Sequence, residues 1–157
     1  MRGASVGSVG IGEQLWDLLG NWSGVEEQSA SPWAPAARTR AALTFKVDLG
    51  GAAVVQDYRQ VRDDGGEFLA HGVLIADGRA PEAVLWWLFD SVGHPPEPAR
   101  GGWTGRTLEL TRTTPRGYAR HRFQLGQDLL TYAIDVALAD QDPEPFLRGR
   151  YERVIGH

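Results

Sequence analysis

No cysteine occurs among the 157 residues. Disulfides, thiol nucleophiles and thiolate metal sites are therefore excluded, and the redox compartment is left open, with a reducing cytoplasm the expected location. Lysines form no block and the net charge is −4, which argues against a nucleic-acid groove or an anionic membrane surface as the main partner. No apolar run is long enough to cross a bilayer as a helix. Met1–Gly12 lacks the apolar stretch and cleavage site of a signal peptide, so it reads as a loose amino-terminal segment ahead of one domain over 13–157. Chemistry-bearing spacings are missing as well. There is no Gly-x-Ser-x-Gly elbow to present Ser91 as a nucleophile, and Asp90 beside it belongs to the opposite face of the strand, so a triad is rejected. No His-x-x-x-His or comparable spacing offers a zinc site.

What is present is a chain of short extended segments. Hydrophobic residues at 42% and charged residues at 23% are ordinary for one folded domain. Leu15, Trp16, Leu18 and Leu19 fall at roughly helical spacing and Gly20 terminates them, so a helix is expected over Glu13–Leu19. From Trp22 onward the period becomes two. Trp22, Gly24, Glu26 and Gln28 share one face, and Ala41, Leu43, Phe45 and Val47 share another in a strand over Thr39–Asp48. Further strands are expected at Ala52–Arg62, Glu67–Ala76, Glu82–Ser91, Arg100–Thr104, Thr107–Arg112, Tyr118–Leu125, Leu129–Leu138 and Pro145–Val154. Glycine, proline and aspartate turns separate them. Ser31-Pro32-Trp33-Ala34-Pro35 reads as a loop with Trp33 pinned against a neighbour, and His94-Pro95-Pro96-Glu97-Pro98 as an exposed connection. Roughly ten short strands joined by consecutive hairpins predict an all-β, antiparallel up-and-down barrel, with the helix packed outside, over the Trp86–Trp87 strand, or across one end.

The set Gly20-Asn21-Trp22-Ser23-Gly24, Gln56-Asp57-Tyr58, His71-Gly72-Val73, Phe89-Asp90-Ser91-Val92-Gly93 and Thr114-Pro115-Arg116-Gly117 resembles a bacterial family of small single-domain proteins of unknown function. That family has a lipocalin-like, calycin-type barrel and is distantly similar to nitrobindin-type barrels. Gly-x-Trp on the first strand with Arg153 on the last is similar to the wider lipocalin and fatty-acid-binding signature. The resemblance implies a fold, with Gly20, Trp22 and Arg153 as its structural signature and Arg153 stacked on Trp22 at the barrel base. It implies no activity.

Polar residues on inward faces are the candidates for a site. Arg120 and Arg122 must point outward, because burying an unpaired charge is costly, so His121 between them points inward with Ala119 and Phe123. Tyr132 and Tyr151 share the inward faces of their strands, the latter with Leu147, Arg153 and Ile155. Tyr58 lies on a strand of ambiguous parity, and His71 is inward only if the bulkier face, with Leu69, Val73 and Ile75, is the inner one. A lone buried histidine is more often a hydrogen-bonded core residue, and a tyrosine a packing ring. As a set, His121, His71, Tyr132, Tyr151 and Tyr58 describe an apolar pocket with a few orienting polar groups, the usual composition of a small-molecule site.

The expected function is binding of a small apolar or aromatic molecule inside the barrel. The alternative is a small enzyme of proton transfer or cyclisation with His121 or His71 as general acid or base. Haem on one of these histidines is less favoured, since the carboxy-terminal histidine pattern of haem-binding barrels is absent and His157 is a last residue. The Arg-x-Tyr clamp of fatty-acid-binding proteins is also missing, because Gly149 stands two residues before Tyr151. No cofactor or metal is expected. Oligomeric state is left open, a homodimer included.

Overall fold

A computed structural model describes residues 13–31, 35–78, 80, 82–93, 96–115, 117–138 and 140–155. Expectations for segment 1–12, Trp33, His94, Pro95, Arg116 and His157 lie outside the described residues. A four-residue helix, α1 (Glu13–Trp16), precedes ten strands. These are β1 (Gly20–Gln28), β2 (Ala37–Asp48), β3 (Ala53–Val61), β4 (Glu67–Ala76), β5 (Ala83–Asp90), β6 (Ala99–Thr104), β7 (Thr107–Thr114), β8 (Gly117–Leu125), β9 (Leu129–Leu138) and β10 (Glu144–Arg153). Each pairs antiparallel with the next, and β10 returns to β1, so the sheet closes into an up-and-down barrel. Among the described residues, closure leaves no strand at a free edge of the sheet.

Period-two alternation drives the arrangement. On β2, Thr39, Ala41, Leu43 and Phe45 are buried and Arg40, Ala42 and Lys46 are exposed. The β3–β4 turn tightens at Gly65, with a φ of 87°, a conformation that glycine adopts without steric cost. The Asp64 side chain accepts from the Gly66 amide at 2.7 Å.

One end of the barrel is sealed. Leu15 and Leu18 are fully buried in the same cluster as Trp22. The Trp22 indole N–H donates to the Leu18 carbonyl at 2.8 Å. The Arg153 guanidinium lies 4.2 Å over the Trp22 ring and donates to the Leu19 carbonyl at 2.7 Å. Gly20, with a φ of 121°, lets β1 start beneath that arginine. Gln14 donates to the Gly105 carbonyl, so the helical segment lies across the strand ends and not along the outside of β5. Trp86 is hidden by the interior instead, at 2% exposure.

On the outer wall Arg120 and Arg122 do face away from the interior, but toward Asp135 on β9 and not toward open solvent. They donate to its carboxylate at 2.9 and 2.7 Å, and Arg148 does so at 2.6 Å. Burial alone pushes the Asp135 carboxyl up; hydrogen bonds from Arg148 and Arg120 outweigh it and hold the group below its ordinary value. Ile155 lies beyond β10 and is exposed, not inward.

Candidate functional site

The interior is layered. Beneath lies an apolar floor of Trp22, Leu43, Phe45, Trp86, Leu108 and Leu130. Above it Glu26, fully buried on β1, gathers donors from two other strands. The Tyr58 hydroxyl from β3 and the Tyr151 hydroxyl from β10 each donate to its carboxylate, and the Gln60 amide donates at 2.8 Å. Burial first, and the Glu26 charge second, pushes the phenols of Tyr58, Tyr151 and Tyr132 up, so all three remain donors. Two glycines make room for this cluster. A Cβ on Gly24 would stand 2.0 Å from the Arg150 carbonyl oxygen, and one on Gly149 would stand 2.8 Å from the Tyr151 hydroxyl.

His121 lies beside the cluster on β8. Its Nδ1 is 2.6 Å from the Tyr132 hydroxyl, and its ring meets Trp86 edge-on at 4.7 Å. Burial, and then the nearby Arg112 charge, lowers its pKa to about 3, so the imidazole is neutral at physiological pH. The same arginine lies close enough to act on the Tyr132 phenol.

Above this layer the barrel opens. A cavity of about 610 Å³ is lined by Ala119, Val136, Leu138, Phe146 and Arg112, among others. A register irregularity between Pro145 and Leu147 on β10 re-aims the chain at Phe146, as bulges do at barrel rims. Arg112 reaches this space from the inward face of β7, two residues after the buried Leu110. Among the described residues it has no hydrogen-bond or ion-pair partner.

Of the residues singled out from sequence, Tyr58, Tyr151, His121 and Tyr132 are brought together inside. They form the layer under the cavity and not its wall. His71 is corrected: it stands on the outside of β4, half-exposed, with Nδ1 2.8 Å from Asp57 Oδ1. Bulk on β4 does not choose the inner face, because neighbouring strands already fill the space. A Cβ on Gly72 would stand 2.5 Å from Gln56 Oε1 and 2.6 Å from Trp86 Nε1, so the smaller face, with Ala70 and Gly72, is the one that fits. Asp90 and Ser91 serve the backbone. Asp90 accepts from the Val92 amide, and Ser91 from the Leu69 amide.

Glu26, Gln60 and Arg112 were not singled out. Parity carried a signal for two of them: Glu26 lies four residues from Trp22 on the same face, and Arg112 four from Leu108. Neither signal named a partner.

No family model matches the sequence, and no curated protein matches it. Solved structures do match. The crystal structure of Rv2717c from M. tuberculosis superposes with a TM-score of 0.72 at 18% identity, over 92% of this chain and 99% of that one. The S-type phycobiliprotein lyase CPES from Guillardia theta does so with a TM-score of 0.70 at 9% identity, over the whole of both chains. At such identities the likeness is one of fold alone. The calycin-type barrel that the sequence resemblance implies is the fold of this chain, a closed ring of ten antiparallel strands sealed at one end by a short helix.

Proposed function

We propose that this protein binds a small apolar or aromatic molecule at the open end of its barrel. The observation that carries this reading is the cavity of about 610 Å³ walled by Ala119, Val136, Leu138 and Phe146. Its size falls within the range of roughly 300–1,000 Å³ common to small-molecule sites. A structurally similar protein is a phycobiliprotein lyase, so a barrel of this fold can carry a function beyond its own packing. The enzymatic alternative, with His121 as general base, is weaker. A pKa of about 3 makes the imidazole a poor proton acceptor at neutral pH.

Titration with Nile red, an apolar dye that fluoresces when it leaves water, tests the reading. The wild-type protein should enhance its emission saturably. Ala119→Trp, which extends an indole into the cavity, should weaken binding about tenfold or more, the scale of one good buried contact set, without lowering the urea midpoint. Equal binding by both proteins would place the dye elsewhere and remove the cavity from consideration.

A further inference from the structure

We propose that the occupant of the open-end cavity is an apolar molecule carrying a single carboxylate, and that Arg112 is the residue that receives this group. The inference rests on the binding reading above and adds the chemical class of the ligand. Arg112 lines the cavity beside Ala119 and Val136, and its guanidinium has no hydrogen-bond or ion-pair partner among the described residues.

Among the described residues Arg38, Arg40, Arg62 and Arg150 lack such a partner too, but they are exposed to water, whereas Arg112 is half-buried and the other half-buried arginines are all engaged. The interior-facing Arg153 is stacked on Trp22 and bonded to Leu19, while Arg120, Arg122 and Arg148 share Asp135 on the outer wall. A guanidinium keeps its charge throughout the physiological range and presents donors in a planar fork that matches a carboxylate. Leaving such a fork unpaired against apolar walls is unfavourable, and a carboxylate on the ligand would relieve it.

The same surroundings limit the ligand's charge to one. The other charged residues on the cavity wall are Asp142 and Glu144, both exposed on the rim. Arg112 pairs across to Ala119, Ala119 to Val136, and Val136 to Glu144. Three strand spacings of about 4.8 Å, or roughly 14 Å along the sheet, therefore separate the backbone positions of the arginine and that acid. A second anionic group would have to approach these acids or sit unpaired against Val136 and Phe146. Deeper in the barrel, His121 and Tyr132 are already engaged with each other, so the carboxylate stops at Arg112 while the apolar body lies toward Phe146.

Two probes with one apolar body separate the charge from the greasy fit: 1-pyrenebutyrate and 1-pyrenebutanol, each followed by its own fluorescence on titration with the full chain. Wild-type protein should bind the acid at least tenfold more tightly than the alcohol. Arg112→Met, which keeps the stem length and removes the charge, should abolish that preference by weakening the acid alone, and Arg112→Lys should restore part of it. If both probes bind wild type equally and Arg112→Met changes neither, the cavity is an apolar binding site and the carboxylate assignment is wrong. If neither probe binds wild type, both the binding reading and this inference fall. A preference that survives in Arg112→Met would assign the anion to another cation and overturn the role of Arg112.

Discussion

At the scale of single residues, two buried polar groups shape the interior in different ways. Glu26 is an acceptor surrounded by donors, and its partners Tyr58 and Tyr151 stand 32 and 125 residues away in the chain. Parity could put Glu26 on the inner face, but only barrel closure brings those donors to it. His121 was more legible. Its flanking arginines decided its face, and Tyr132 met it across the β8–β9 pairing. His121 also makes stability depend on pH. Burial, and then Arg112, lowers its folded pKa from 6.5 to about 3. Below about pH 6.5 the unfolded chain therefore takes up a proton that the folded chain refuses. The contribution is full above that pH and is lost as pH falls toward 3, with a slope approaching about 1.4 kcal/mol per pH unit. Urea unfolding at pH 4 to 7 should show wild type losing stability on acidification more steeply than His121→Phe, by up to that slope. Parallel curves for the two proteins would mean that His121 is hydrated in solution.

At the scale of elements, the sealed end joins α1, the start of β1 and the end of β10 through one indole. Trp22 is 1% exposed, donates to Leu18 and carries Arg153 on its face. Its loss should remove packing from three chain segments together. Trp22→Ala is expected to cost about 3–5 kcal/mol, the range for a large buried aromatic, measured as the change in unfolding free energy in urea. A loss under about 1 kcal/mol would mean that the end is held by Leu15 and Leu18 without the indole. This arrangement was legible because its parts are compact in sequence: Gly20 and Trp22 are adjacent in pattern, and Arg153 is the matching residue on the last strand. The face of β4 was not. What excludes His71 from the interior is the volume of Gln56 and Trp86, which belong to β3 and β5, and no property of β4 itself reports it. The helix was foreseen over Glu13–Leu19 but spans Glu13–Trp16, because the chain must turn at Asp17 and Leu18 to lay Leu18 over Trp22.

At the scale of the whole molecule, a closed barrel can open only by breaking a seam between two strands, and the seams are unequal. The β2–β3 ladder runs through nine residue pairs, from Arg40↔Val61 to Asp48↔Ala53. The β5–β6 ladder runs through four, from Ala83↔Gly102 to Trp86↔Ala99, and β6–β7 through five. The short strand β6 also contains Gly101 and Gly102, which add backbone freedom to the unfolded chain and no side chain to the core. Gly101 cannot be replaced to strengthen the seam, since a Cβ there would stand 1.7 Å from the Glu109 carbonyl oxygen. The only ion pair of β6 among the described residues, Arg100 with the buried Asp77 at 3.1 Å, ties β6 to the end of β4 and adds nothing across the β5–β6 seam itself. Local opening follows the fewest bonds and the least buried surface. Native-state hydrogen exchange should accordingly find the amides of β6 and its β5 partners exchanging first, well ahead of β2 and β3, which should exchange only on global unfolding. Uniform protection around the ring, or earliest exchange in the β7–β10 wall that frames the cavity, would show that the open mouth and not the short seam governs how this barrel comes apart.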